Sequence, residues 1–136
     1  MGLLRLDHIN VCTRQLEKLK AFYSDALGLR PGPRPNFSFG GAWMYCGDFP
    51  VVHLVERPAL EPVNGDLRIQ HFAFSANDLE GFLGRLKALG VEWRVGILED
   101  FQLCQVNVHD PDGNHVHIDF PLAEARRLGV ERTPAR

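Results

Sequence analysis

The 136-residue chain repeats itself, and this repeat constrains its fold more than any other feature. Leu6-Asp7-His8-Ile9-Asn10-Val11 resembles Ile69-Gln70-His71-Phe72-Ala73-Phe74, with a histidine third in each and 63 positions between them. The same offset relates Leu16-Glu17 to Leu79-Glu80. Leu27-Gly28 maps to Leu89-Gly90 at an offset of 62, and Val52-His53-Leu54 to Val116-His117-Ile118 at 64. A near-constant offset means that two halves, each of roughly 55 to 60 residues, carry one order of elements. It also sets four of the six histidines at matching points: His8 with His71, and His53 with His117.

Each half reads as β-α-β-β-β. Leu16, Leu19, Phe22, Tyr23 and Ala26 recur at helical spacing, as do Leu79, Phe82, Leu83, Leu86 and Leu89. Thr13 and Asn77 or Asp78 are the expected N-caps, and Gly28 and Gly90 the expected left-handed C-caps. Pro31-Gly32-Pro33-Arg34-Pro35-Asn36 is expected to be irregular. Strands are expected over residues 37–46 and 50–56 with a turn at Gly47-Asp48, then over 91–95, 103–109 and 115–120 with a turn at 110–114. Arg57 to Asp66, with two prolines and Asn64-Gly65, reads as a linker. The expected class is α+β in one domain: module one about 4–57, linker about 58–66, module two about 67–121 and a tail 122–136. The tail begins with a short helical stretch and is expected to be loose from Arg132 onward.

Composition narrows the function classes. Fifteen basic and 17 acidic residues give a net charge of −2, which provides no electrostatic case for nucleic acid or an anionic membrane. No apolar run approaches the ~18 residues that span a bilayer. The first residues lack a basic segment followed by a long apolar one, so the expected location is cytoplasmic. Cys12, Cys46 and Cys104 form no C-x-x-C pair, which argues against a zinc ribbon or a thioredoxin-like site. They read as small buried apolar residues in a reducing compartment.

Three stretches, taken in order with the repeat, carry a family resemblance: Leu6 to Val11, Ala21-Phe22-Tyr23-Ser24-Asp25-Ala26-Leu27-Gly28-Leu29, and Asp110-Pro111-Asp112-Gly113-Asn114 before the last strand. Over about residues 4 to 121 the chain resembles the vicinal oxygen chelate superfamily, which includes glyoxalase I, extradiol dioxygenases and the fosfomycin and bleomycin resistance proteins. The resemblance implies two tandem βαβββ modules forming a curved mixed sheet around a metal-binding cleft. It implies metal ligands from the first and last strands of each half, which here are His8, His53, His71 and His117, the same four that the repeat selects. The implied cofactor is a divalent metal, iron, zinc, nickel or manganese, all of which neutral imidazole can ligate.

The chain departs from the family pattern where it matters chemically. The last-strand position usually holds Glu and here is His117; the position of His53 is commonly Glu in glyoxalase I. An all-imidazole set leaves the full +2 charge of the metal, which favours an anionic ligand such as hydroxide, an enediolate, a catecholate or a carboxylate. The metal-bound Glu base of glyoxalase-type isomerisation is missing from both positions. His8, His71 and His117 match the three-ligand pattern of the dioxygenase branch, and His53 is either a fourth ligand or a catalytic acid or base. His115 shares a strand face with His117 and Asp119 and is a reserve ligand; His109 falls to turn chemistry or solvent.

The candidate substrate contacts are Trp43 and Tyr45 from an aromatic stripe that also includes Phe37 and Phe39, Gln105 on a second-half strand beside Asn107, and Arg34 in the Pro-rich loop. The expected function is that of a metal-dependent enzyme acting on a small molecule with vicinal oxygens, as a lyase, isomerase or ring-cleaving oxygenase. The alternative is a small-molecule binding protein like the bleomycin resistance proteins, without catalysis. The expected partners are that small molecule and a second copy of the chain, because open sheets leave edges to be covered, with modules pairing within or between chains.

Overall fold

A computed structural model describes residues 2–65 and 67–135. The chain divides into two units, one up to Asn64 and one from Gly65. The first contains β1 (Ile9–Thr13), α1 (Leu16–Ala21), β2 (Arg30–Gly32), β3 (Gly41–Cys46) and β4 (Phe49–Glu56). The second contains β5 (His71–Ser75), α2 (Leu79–Leu89), β6 (Arg94–Leu98), β7 (Leu103–His109), β8 (His115–Pro121) and α3 (Leu122–Leu128). Each four-stranded sheet is mixed, with orders β1-β4-β3-β2 and β5-β8-β7-β6. The first and last strands of each module are parallel neighbours and the other pairs are antiparallel. This is the α+β fold of two βαβββ modules that the repeat implies.

Alternation along the strands separates a packed face from a polar one. In the first module Ala42 and Met44 of β3 and Val52 and Leu54 of β4 are buried with Leu19, Tyr23 and Ala26 of the helical segment. In the second, Val106 and Val108 of β7 and Val116, Ile118 and Phe120 of β8 are buried with Leu79, Phe82 and Leu86 of α2, and the Phe82 and Phe120 rings lie 5.4 Å apart. Each such large apolar side chain contributes about 1.5–3 kcal/mol on burial. Because one face of each sheet is committed to its helix, the intervening residues all turn to the other face. In the first module these include Trp43 and His53, and in the second Gln105, Asn107, His109, His115, His117 and Asp119.

Several local expectations change in the structure. The Pro-rich stretch is not wholly irregular: Arg30–Gly32 pairs with Trp43 to Tyr45 as β2. Gly32 permits this, since a Cβ there would stand 2.6 Å from the Tyr45 ring. β3 begins at Gly41, leaving Phe37 and Phe39 in a loop, and β6 lies three residues later than expected, at 94–98. Thr13 does not cap α1 in the expected way; its hydroxyl accepts the Gln15 N–H, and Gln15 occupies the cap position. After Ala21 the helix widens into a π turn over Phe22–Ala26 before Gly28 reverses the chain at φ +77°. Asp78 caps α2 as expected, accepting the Gly81 N–H, and Glu124 of α3 accepts the N–H groups of Asp78 and Leu79. The tail is tied down: the Val95 N–H donates to the Thr133 hydroxyl at 2.7 Å, the Thr133 N–H donates to the Val95 carbonyl, and Arg94 donates to the Pro134 carbonyl. Cys104 is buried, Cys12 half-buried and Cys46 exposed, so the buried reading fails for Cys46.

Candidate functional site

The β1–β4–β3 register places Asn10, His53 and Trp43 in one row. The polar face of the first module is thus built around His53. Its ring lies between the rings of His8, 3.8 Å away, and Trp43, 4.0 Å away, with interplanar angles of 10° and 11°. The stack leaves His53 only 8% exposed although it faces away from the helix. Its Nε2–H donates to the Pro50 carbonyl at 3.0 Å. A carbonyl only accepts, so the proton sits on Nε2 and the lone pair on Nδ1. Burial lowers the His53 pKa, with the neighbouring His8 adding to the effect and the Pro50 carbonyl and Asp7 opposing it. His8 donates from Nδ1 to the Asp7 carboxylate at 2.8 Å, and this hydrogen bond holds the Asp7 pKa below its ordinary value.

The second module repeats the arrangement with different chemistry. Register sets His71, His115 and His109 in one row, and Ala73, His117, Asn107 and Arg94 in the next. The His71 ring lies 4.7 Å from that of His117 and 5.2 Å from that of His115, and His109 stacks on His115 at 5.2 Å. His71 donates from Nδ1 to the Gln70 side-chain oxygen at 2.6 Å, and His117 from Nδ1 to Asp119 at 2.7 Å. His115 is bonded at both ring nitrogens, to Gln70 at 3.2 Å and to Asn107 at 2.8 Å. That removes it as a reserve ligand, since neither nitrogen keeps a free lone pair. Burial lowers its pKa, with His109, His71 and His117 adding to the effect.

A common pattern emerges. His8, His71 and His117 each hold the Nδ1 proton against an oxygen acceptor, from Asp7, Gln70 and Asp119 respectively. Each therefore keeps its Nε2 lone pair available. This is the arrangement in which a metal-ligating histidine is oriented and made more basic by a neighbouring acceptor. An imidazole held in this way offers a single nitrogen lone pair of the kind a divalent cation accepts. Among the described residues, however, no group of three His, Cys, Asp or Glu side chains is placed to hold one.

The remaining candidates are positioned as follows. Trp43 forms one side of the histidine stack. The Tyr45 hydroxyl donates to the Pro33 carbonyl. Arg34 donates to the Phe39 carbonyl at 3.0 Å and lies over the Phe37 and Phe39 rings, which stack 4.9 Å apart. Gln105 lies beside Asp119 in the β7–β8 register. Asp110 builds its turn as expected, accepting the N–H groups of Asp112 and Asn114 and the Asn114 side-chain amide. Burial, with the Asp119 charge adding, raises the Cys104 thiol pKa, in keeping with a packing role. Sequence reasoning missed the parts played by Asp7, Gln70 and Asn107. The first two occupy repeat-equivalent positions immediately before His8 and His71, a signal present in the sequence.

A family model described as the Glyoxalase/Bleomycin resistance protein/Dioxygenase superfamily matches residues 5–118, and the chain belongs to that superfamily. Solved structures share the fold. A protein assigned to the glyoxalase family from Bacillus anthracis is 23% identical with a TM-score of 0.73, the match covering 89% of this chain and 98% of that one. A fosfomycin resistance protein of Listeria monocytogenes is 18% identical with a TM-score of 0.69, covering 92% and 99%. A lactoylglutathione lyase of Agrobacterium tumefaciens is 21% identical with a TM-score of 0.66, covering 88% and 95%. At these identities the likeness concerns the fold alone. No curated protein matches the chain. No helix among the described residues is long and apolar enough to cross a membrane.

Proposed function

We propose that this chain is a metal-dependent enzyme acting on a small molecule with vicinal oxygens, with His8, His71 and His117 as metal ligands. The observation that carries the proposal is the tautomer these three imidazoles have in common, each with Nδ1–H donated to oxygen and Nε2 available. A bound divalent cation, iron, zinc, nickel or manganese, would supply Lewis acidity to two neighbouring substrate oxygens. His53 then serves as acid or base rather than as a fourth ligand. Its Nε2–H is fixed on Pro50, its lowered pKa keeps it neutral near pH 7, and Nδ1 is its proton acceptor. Trp43, Tyr45, Gln105 and Arg34 are the candidate substrate contacts, and Tyr45 and Arg34 also fasten the 33–39 loop.

A second copy of the chain is the proposed partner. Leu4 and Leu6 are 93% and 80% exposed, and their repeat equivalents Leu67 and Ile69 are 50% and 81% exposed, so each module presents an apolar pair in need of cover. The proposed location is cytoplasmic, supported by the free thiols. The test is metal titration followed by turnover assays: catechol-type substrates with oxygen for an iron form, and isomerase and lyase assays for zinc, nickel or manganese forms. Metal binding with turnover supports the enzyme. Uptake of an apolar small molecule with no metal binding would favour the non-catalytic alternative, for which the aromatic stack at Trp43 is the supporting feature.

A further inference from the structure

The two modules fix their leading histidines by different means. His8 faces a carboxylate, which can only accept, so Asp7 alone keeps the proton on Nδ1. His71 faces the Gln70 amide, which accepts at one end and donates at the other. An amide turned by 180° would present N–H to His71 and drive its proton to Nε2. Something must therefore orient Gln70. Its Nε2–H donates to Nδ1 of His115 at 3.2 Å, which requires a lone pair there and places the His115 proton on Nε2. That proton is donated to the Asn107 side-chain oxygen at 2.8 Å. Asn107 is oriented by the main chain, because its amide nitrogen faces the carbonyls of Arg94 and Gln105 at 3.4 and 3.3 Å. Reversing it would set oxygen against two acceptors.

We propose that Asn107, His115 and Gln70 form a directional hydrogen-bond relay that sets the tautomer of His71. The main chain of β6 and β7 orients Asn107, Asn107 selects the His115 tautomer, His115 orients Gln70, and Gln70 holds the His71 proton on Nδ1. His115, Gln70 and Asn107 are positioning residues. The use of the relay, a free Nε2 on His71 for a cation, rests on reading His71 as a metal ligand; the tautomer itself does not.

The experiment is nitrogen-15 NMR of the histidine rings in the metal-free full chain, which distinguishes Nδ1–H from Nε2–H for each residue. The wild type is expected to show His71 as Nδ1–H and His115 as Nε2–H. His115→Phe removes the relay, and Gln70→Leu, at an exposed position, removes its last member with little risk to folding. Both are expected to convert His71 to a mixture of tautomers. The double variant Q70E/H115F is expected to restore Nδ1–H, because a carboxylate needs no orienting partner. A role for His115 in packing alone would not be rescued in this way. Zinc titration of the same samples should show an affinity loss of about 10–100-fold in H115F and its recovery in the double variant. The proposal is overturned if His71 stays on Nδ1–H in both H115F and Q70L, or if Q70E/H115F fails to restore it. If the tautomers behave as expected but zinc leaves the His71 signals unmoved, the relay stands and the metal-ligand reading fails.

Discussion

Asp119 offers the most direct measure of how much the residues behind the histidines contribute. Its carboxylate accepts the Nδ1–H of His117 at 2.7 Å, and the two side chains are 18% and 10% exposed, so water competes little for the bond. A hydrogen bond to a charged acceptor contributes about 1.5–3 kcal/mol net. Removing it in Asp119→Ala frees the ring to rotate, frees the proton to move to Nε2, and lowers the basicity of the nitrogen proposed as a ligand. The expected loss is about 10–100-fold in affinity for a divalent cation, equal to about 1.4–2.7 kcal/mol. Asp119→Asn keeps an acceptor but removes the charge, so its loss should be the smaller of the two. The assay is competition of zinc or manganese against a chromophoric chelator, with urea unfolding of each variant as a check on folding. Affinity in Asp119→Ala within about twofold of wild type would refute the reasoning, because the 2.7 Å bond would then have no bearing on the ligand.

Three further outcomes test the account. Asp110 is 4% exposed and accepts three hydrogen bonds in the 110–114 turn; Asp110→Ala should cost about 3 kcal/mol at roughly 1 kcal/mol per bond, read from urea midpoints, and a cost below about 1 kcal/mol would contradict it. His53 and His115 have folded pKa values below the ordinary 6.5, so the unfolded chain binds more protons than the folded one as pH falls. Stability should be fully present above about pH 6.5 and decline below it, and His53→Phe should shrink the difference between midpoints measured at about pH 7.5 and 5.5; a flat profile would contradict this. Thr133→Val removes the hydroxyl that accepts the Val95 N–H and should destabilise the chain by about 1 kcal/mol while speeding proteolysis of the tail, whereas an unchanged cleavage rate would mean that the tether is idle.

The order of elements was readable because the repeat offset and the helical periodicity are properties of the sequence itself. Gly28 and Gly90, both at positive φ, end their helical segments where the sequence places them. The Arg30–Gly32 strand was not readable, because prolines flank a glycine whose use depends on the Tyr45 ring above it. The order of the tail was not readable for a similar reason: it comes from Val95 and Arg94, some 40 residues earlier, and not from the tail's own composition. The four repeat-matched histidines were legible as positions. What distinguishes His53 from the other three was not, since it depends on which ring nitrogen meets an acceptor. That is decided by Pro50 for His53, and by Asp7, Gln70 and Asp119 for the others.

The most direct test of the central claim is the metal content of the purified, reconstituted chain beside His8→Ala, His71→Ala and His117→Ala variants, measured by elemental analysis. Near-stoichiometric divalent metal is expected in the wild type, with a fall in all three variants and His53→Ala retaining its metal. No metal in the wild type after reconstitution, or metal retained when any of the three is removed, would contradict it.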